Sequence, residues 1–174
     1  DMGHTELYVA VNVSPLQLAA EDFVEFLRRS VDEAGIAPRQ LELEITESAL
    51  IESLGPSIDK LIQLRALGVR LSLDDFGTGY SSLTHLRNLP VKTLKIDRSF
   101  IKGMLDNDEE ENFIHSIIDM AHVRKLQVVA EGVETEAQLV KLDQLGCDVV
   151  QGFFFSKAVD PEEALRFVPN RTSL

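Results

Sequence analysis

The sequence is short of several things, and each shortage closes off a class of protein. It has one cysteine, Cys147, so no disulfide can form within the chain, and a reducing compartment fits. The expected location is therefore cytoplasmic. Bases are outnumbered, 17 Lys and Arg against 29 Asp and Glu, for a formal net charge of −12. That argues against non-specific binding of DNA or RNA, which needs a basic surface, though not against a small phosphate ester held through metal ions. No apolar run is long enough to span a bilayer. There is no low-complexity tract and no shift in composition that would mark a linker. The four histidines (His4, His85, His115, His122) lack ligand spacing and read as surface or helix-packing residues. Cys147 has no activating neighbour and reads as a core residue.

What is present is a regular alternation. Apolar, β-prone runs are predicted at 7–13, 41–46, 69–75, 93–97, 126–131 and 149–155. Between them lie helical patterns. The first, capped by Ser14 with Pro15 and Gln17, is predicted to run unbroken to about Ala34, with Phe23, Phe26, Leu27 and Val31 on one face. Others are predicted at 56–66 (Ile58, Leu61, Ile62, Leu64), 81–88, 111–124 and 135–146, with a last short one at 161–167. Repeated strand–helix units imply α/β architecture on a parallel sheet, in one domain.

The stretch 71–83, LSLDDFGTGYSSL, sets the chemistry. An apolar run reaches two adjacent acids, Asp74 and Asp75, and breaks at Gly77 and Gly79, which read most simply as turn residues. Every other strand also ends in a polar group: Asn12, Glu44, Lys95 with Asp97, Glu131 and Gln151. Residues two apart on a strand share a face, so Glu42 with Glu44, Ser72 with Asp74, and Lys95 with Asp97 point one way. Leu43, Leu73 and Ile96 point the other way, towards covering helices. A polar inner face under an apolar outer one suits a (β/α)8 barrel, whose site forms where the strands end. It does not suit an open doubly wound sheet, apolar on both faces.

The collected groups are carboxylates, one amide oxygen and one lysine. Oxygen-only donors suit hard cations such as Mg²⁺ or Mn²⁺. Two such ions roughly 3.5–4 Å apart can bridge phosphate oxygens and generate hydroxide from water. The competing reading is a structural salt-bridge network around Lys95, but one lysine cannot balance so many acids. Glu47 and Glu134, each three residues past a site acid, are either solvated loop charges or anchors for their neighbours.

In order, VNVSPLQL, LELEITES, LSLDDFGTGYSSL, TLKIDRSFI, VVAEGVET and QGFFFSKAV resemble the strand-end motifs of the EAL family of cyclic-di-GMP phosphodiesterases. The resemblance runs over nearly all of residues 1–174. It implies a TIM-barrel-like fold and hydrolysis of cyclic di-GMP to linear pGpG, with two Mg²⁺ or Mn²⁺ ions. By motif, Asn12, Glu44, Asp74, Asp75, Asp97 and Glu131 would be metal ligands. Lys95 would hold or activate the attacking water, with Glu131 beside it. Asp97, Glu134 and Gln151 would contact substrate or water. Glu47 and Gly79 would anchor the loop after Asp75, which in the family leads to a homodimer interface. An upstream sensory or cyclase-like domain, and in some members a membrane tether, would complete the parent protein.

The chain departs from that pattern where the name-giving Glu-Ala-Leu motif should precede VNVSP. The expectation is a partial domain holding about six of eight βα units. It would lack one metal ligand, be weakly active or inactive alone, and expose two sheet edges prone to association. Smaller departures are Ala158 for a usual Pro, and Phe153 and Phe154 for a frequent Tyr and Leu. Two other functions compete: a non-catalytic cyclic-di-GMP-binding or protein-interaction module, and a Schiff-base aldolase using Lys95. The second conflicts with the acids around that lysine, which would raise its pKa.

Overall fold

The computed structural model describes residues 7–52, 56–78 and 89–167. Six strands form one parallel sheet in sequence order: β1 (Val9–Val13), β2 (Leu41–Thr46), β3 (Arg70–Phe76), β4 (Thr93–Ile96), β5 (Gln127–Glu131) and β6 (Val149–Gln151). Parallel neighbours need crossovers, and helices supply them between every consecutive pair except β3 and β4, whose connection includes residues outside the described ones. These are α1 (Pro15–Ala19), α2 (Phe23–Ala34), α3 (Glu47–Glu52), α4 (Pro56–Ala66), α5 (Arg98–Gly103), α6 (Asp108–Val123), α7 (Glu136–Gln144) and α8 (Pro161–Ala164). No helix among the described residues is long and apolar enough to cross a membrane.

The two faces of the sheet divide as the alternation requires. Leu43, Ile45, Leu71, Leu73, Leu94, Ile96, Val128 and Ala130 are buried in one core with Leu18, Leu61, Leu64, Ile114, Ile118 and Leu142 from the helices. The opposite face carries Glu42, Glu44, Ser72, Asp74, Thr93 and Lys95, all buried and all polar. The end strands are not covered in this way. Val9 and Val11 on β1 and Val149 on β6 are exposed, as are Phe153, Phe154 and Phe155 beyond β6.

Several elements depart from the sequence reading, each through a contact distant in the chain. The helix expected over 15–34 breaks at Ala20, whose backbone turns extended. The Lys60 ammonium, from α4, donates to the carbonyls of Leu18, Ala19 and Ala20 at 2.9, 2.8 and 2.8 Å. It thus satisfies the acceptors that a helix end leaves open. On α2, Phe23, Leu27 and Val31 are buried as expected, whereas Phe26 of the same helix is exposed. Ile62 and Phe113, likewise expected on apolar stripes, are exposed too.

The helix expected from 111 begins three residues earlier, at Asp108, and takes in the acidic residues that precede it. Asn107 caps α6, accepting from the Glu109 N–H at 3.0 Å, and Asp108 to Glu111 form its first turn. Negative charge there complements the helix dipole. The sixth strand stops at Gln151 rather than at 155. At Gly152 a Cβ would stand 2.1 Å from the Val133 carbonyl oxygen, so the chain turns away at the one residue that fits. The Phe154 N–H then donates to that same oxygen at 2.9 Å. The short helices α3 and α5 were not read from the sequence, and the helix expected at 81–88 lies outside the described residues.

A candidate metal-binding carboxylate site

The buried polar face converges on Lys95. Its Nζ lies 2.5 Å from Glu44 Oε1, 2.6 Å from Glu131 Oε1 and 3.2 Å from Asp74 Oδ1. Strands β2, β3, β4 and β5 each give one member, all near the C-terminal ends. The parallel register makes the meeting possible: Glu44 sits beside Ser72, Thr46 beside Asp74, and Lys95 beside Val129. Burial alone would push the Lys95 ammonium down. Hydrogen bonds to Glu131 and Glu44 and the charges of Glu131 and Asp74 outweigh it and hold Lys95 well above the ordinary lysine range. Lys95 is therefore a fixed cation. A Schiff-base role, which needs the free amine, does not fit it.

One lysine does not neutralise the site. Asp74, Asp75 and Glu131 each bring a carboxylate oxygen within 4.8 Å of the others. Burial raises the pKa of Asp75, and the charges of Asp74 and Asp97 raise it further. Burial likewise raises Glu131, against the lowering effect of Lys95. Asp74 Oδ1 is within ion-pair distance of Lys95 but off its hydrogen-bonding direction, so this buried oxygen accepts no hydrogen bond. A compact set of oxygen donors, short of positive charge and with one orphaned oxygen, fits a hard divalent cation.

Two adjacent residues of a strand normally face opposite ways. Asp74 and Asp75 share one site because β3 bulges between them. Leu73 pairs with Leu94 and Phe76 with Ile96, so two residues of β3 stand opposite the single Lys95. Asp75 takes the left-handed conformation, at φ 55°. Strain of this kind persists only where the surroundings over-determine it, and it gathers at functional sites. After β5, Gly132 at φ 73° lets the chain pass Arg98, whose Cβ would be 2.5 Å from any added Cβ.

The other residues singled out by sequence fall around this centre. Asn12 is exposed on β1, in register with Glu44, and Gln151 lies in register with Glu131. Asp97 is not the last residue of β4. It caps α5, accepting from the Ser99 N–H at 3.0 Å and from its hydroxyl, and those hydrogen bonds lower its pKa against the effect of burial. Glu134 is exposed, and its N–H donates to Gln138 Oε1 at 2.8 Å. Glu47 is buried, and among the described residues neither of its carboxylate oxygens has a hydrogen-bond partner. Gly79 lies outside the described residues. Sequence reasoning did not find Gln138 as a strut: beyond its capping box with Thr135, its Nε2 donates to the Ile101 carbonyl at 3.1 Å and ties α7 to α5.

A parallel α/β sheet with a compact acidic cluster at its strand C-termini defines the class: a TIM-barrel-type domain with a candidate metal-binding site. Residues 2–158 match the EAL domain model, and the chain belongs to the EAL domain family. It is 47% identical over 155 residues to the cyclic di-GMP phosphodiesterase NbdA of Pseudomonas aeruginosa, covering 89% of this chain and 20% of NbdA. Its fold superposes on the MucR phosphodiesterase of the same organism in complex with cyclic di-GMP. The TM-score there is 0.89 at 41% identity, over 93% of this chain and 66% of that one. It also matches BlrP1 of Klebsiella pneumoniae in a complex with manganese and cyclic di-GMP. That match has a TM-score of 0.80 at 31% identity, over 86% of this chain and 38% of that one. The chain spans about a fifth of the length of the curated relatives it matches.

Replacing Lys95 by Met leaves the buried carboxylates of Glu44 and Asp74 and the half-buried one of Glu131 without their cation, so urea unfolding in chelator should show a loss of about 3–5 kcal/mol. Asp75 tests the reverse sign. Its folded-state pKa is raised, so its stabilising contribution exists while it is protonated and disappears as pH rises through the folded value. In chelator, Asp75→Asn should therefore unfold at higher urea than the wild type at neutral pH. The difference should close as pH falls through the carboxylate range.

Proposed function

We propose that the chain forms most of a metal-dependent phosphodiesterase domain that opens cyclic di-GMP to linear pGpG in a bacterial signalling protein. The single observation that carries this reading is the convergence of Asp74, Asp75 and Glu131 beside the Lys95 ammonium. Family membership and the ligand named for the MucR structure support the substrate.

In the proposed reaction, water attacks phosphorus and one phosphorus–oxygen bond forms. The bond to the 3′ oxygen breaks, and that oxygen takes up a proton. Mg²⁺ or Mn²⁺, held by Asp74, Asp75, Glu131 and Glu44 with Asn12 and Asp97 at the margin, would stabilise charge on the phosphoryl oxygens and acidify water. The chain's own residues do the rest. Lys95 stays protonated and fixes positive charge where negative charge develops. Glu131, which burial raises and which touches Lys95, would receive the proton of the water. Gln151, beside Glu131, and Glu134 face the substrate end. Glu47, buried without partners, would anchor the loop after Asp75, and through that loop a homodimer forms. The short span of this chain relative to its relatives supports an attached sensory or cyclase-like domain. The expected location of the catalytic domain is the cytoplasm.

The test is hydrolysis of cyclic di-GMP by the full-length protein with Mg²⁺ or Mn²⁺, followed by chromatography of pGpG. Metal-dependent cleavage should fall at least about a hundredfold in Asp74→Asn. Binding of cyclic di-GMP without any cleavage would instead make the domain a receptor.

A further inference from the structure

A second charged region lies at the other end of the strands. A cavity of about 610 Å³ opens where β3, β4 and β5 begin, and among the described residues its lining contains no acid. Arg39, Arg65, Lys92 and Lys125 all line it, from four separate segments. In a chain of net charge −12 this is a marked segregation of sign. Among the described residues, none of these four has an acidic partner or a side-chain hydrogen bond. A fifth cation, Arg70, is already compensated: its Nε lies 3.4 Å from Glu42 Oε2, and its guanidinium stacks 4.0 Å over the Tyr8 ring.

The backbone holds these cations in place. The Lys92 N–H donates to the Leu71 carbonyl at 3.1 Å, and the Lys92 carbonyl accepts from the Gln127 N–H at 2.9 Å. Lys125 sits at φ 58°, a conformation that favours glycine, between α6 and β5. Its N–H donates to the His122 carbonyl at 2.9 Å. Four like charges facing one concavity repel one another unless an anion balances them. The volume lies in the range of small-ligand sites, and Thr93 and Gln127 add neutral hydrogen-bonding groups. A long nucleic acid would meet the acidic remainder of the surface, whereas a compact anion need only enter the cavity.

We infer that this cavity is a binding site for a small ligand carrying two or more phosphate groups, separate from the carboxylate site at the opposite strand ends. Guanidinium and ammonium groups together suit phosphate oxygens, by forked hydrogen bonds and by point charge.

The probe is sodium tripolyphosphate, titrated calorimetrically into the full chain in EDTA, where the metal-free carboxylate cluster repels anions. Binding should be saturable with one site per chain and should weaken as salt rises. Arg65→Ala/Lys125→Ala should weaken it about tenfold or more. Lys102→Ala/Arg166→Ala removes equal charge away from the cavity and should leave it unchanged. Circular dichroism confirms that both variants are folded. No saturable heat, or equal loss in both double variants, would overturn the site. So would a poly-glutamate peptide binding where tripolyphosphate does not, since that would make the region a docking surface for an acidic protein segment.

Discussion

Everything at the strand C-termini depends on one ammonium group among acids. Lys95 contacts Glu44, Asp74 and Glu131, which come from three other strands. A buried ion pair is expensive to form, because each charge leaves water, and the low dielectric repays that cost only when the geometry is good. The parallel sheet supplies the geometry by fixing neighbouring strands in register. The apolar outer face supplies the stability, since eight aliphatic residues of β2 to β5 lock those strands against the helices. The polar cluster can therefore remain short of positive charge without the fold loosening around it.

That shortage is what the proposed function rests on. A structural salt-bridge network would be expected to satisfy its members. Here Asp74 keeps a buried oxygen without a hydrogen bond, and Asp75 and Glu131 bind protons more tightly than ordinary carboxylates. The bulge in β3 is what adds the excess acid. It turns Asp75 towards the site at the cost of a left-handed backbone, where a regular strand would turn it towards the core.

The sequence made much of this legible, because the information is local. Period-two alternation placed Glu44, Asp74 and Lys95 on one face and Leu43, Leu73 and Ile96 on the other. The polar strand ends marked where the candidate carboxylate cluster gathers, and ordered motifs pointed to the EAL family that the fold and the family match bear out. What stayed illegible depends on partners distant in the chain. Nothing in residues 15–34 announces that Lys60 will cap a helix at Ala20. Nothing in QGFFF says that Val133 leaves room only for Gly152. The bulge is invisible for the same reason, since it is a mismatch between two strands and belongs to neither alone. Asp97 reads as the end of a strand but works as a helix cap, because its short side chain reaches the Ser99 N–H once the strand stops at Ile96.

We propose that the carboxylates around Lys95 are arranged to hold a divalent cation. Mn²⁺ titration of the chain followed by electron paramagnetic resonance tests it directly, because free Mn²⁺ gives a signal that bound Mn²⁺ does not. The expected result is saturable binding that weakens at least about tenfold in Asp75→Asn. Binding equally tight in wild type and Asp75→Asn, or no saturable binding at all, would contradict it and leave a charge network whose role is structural.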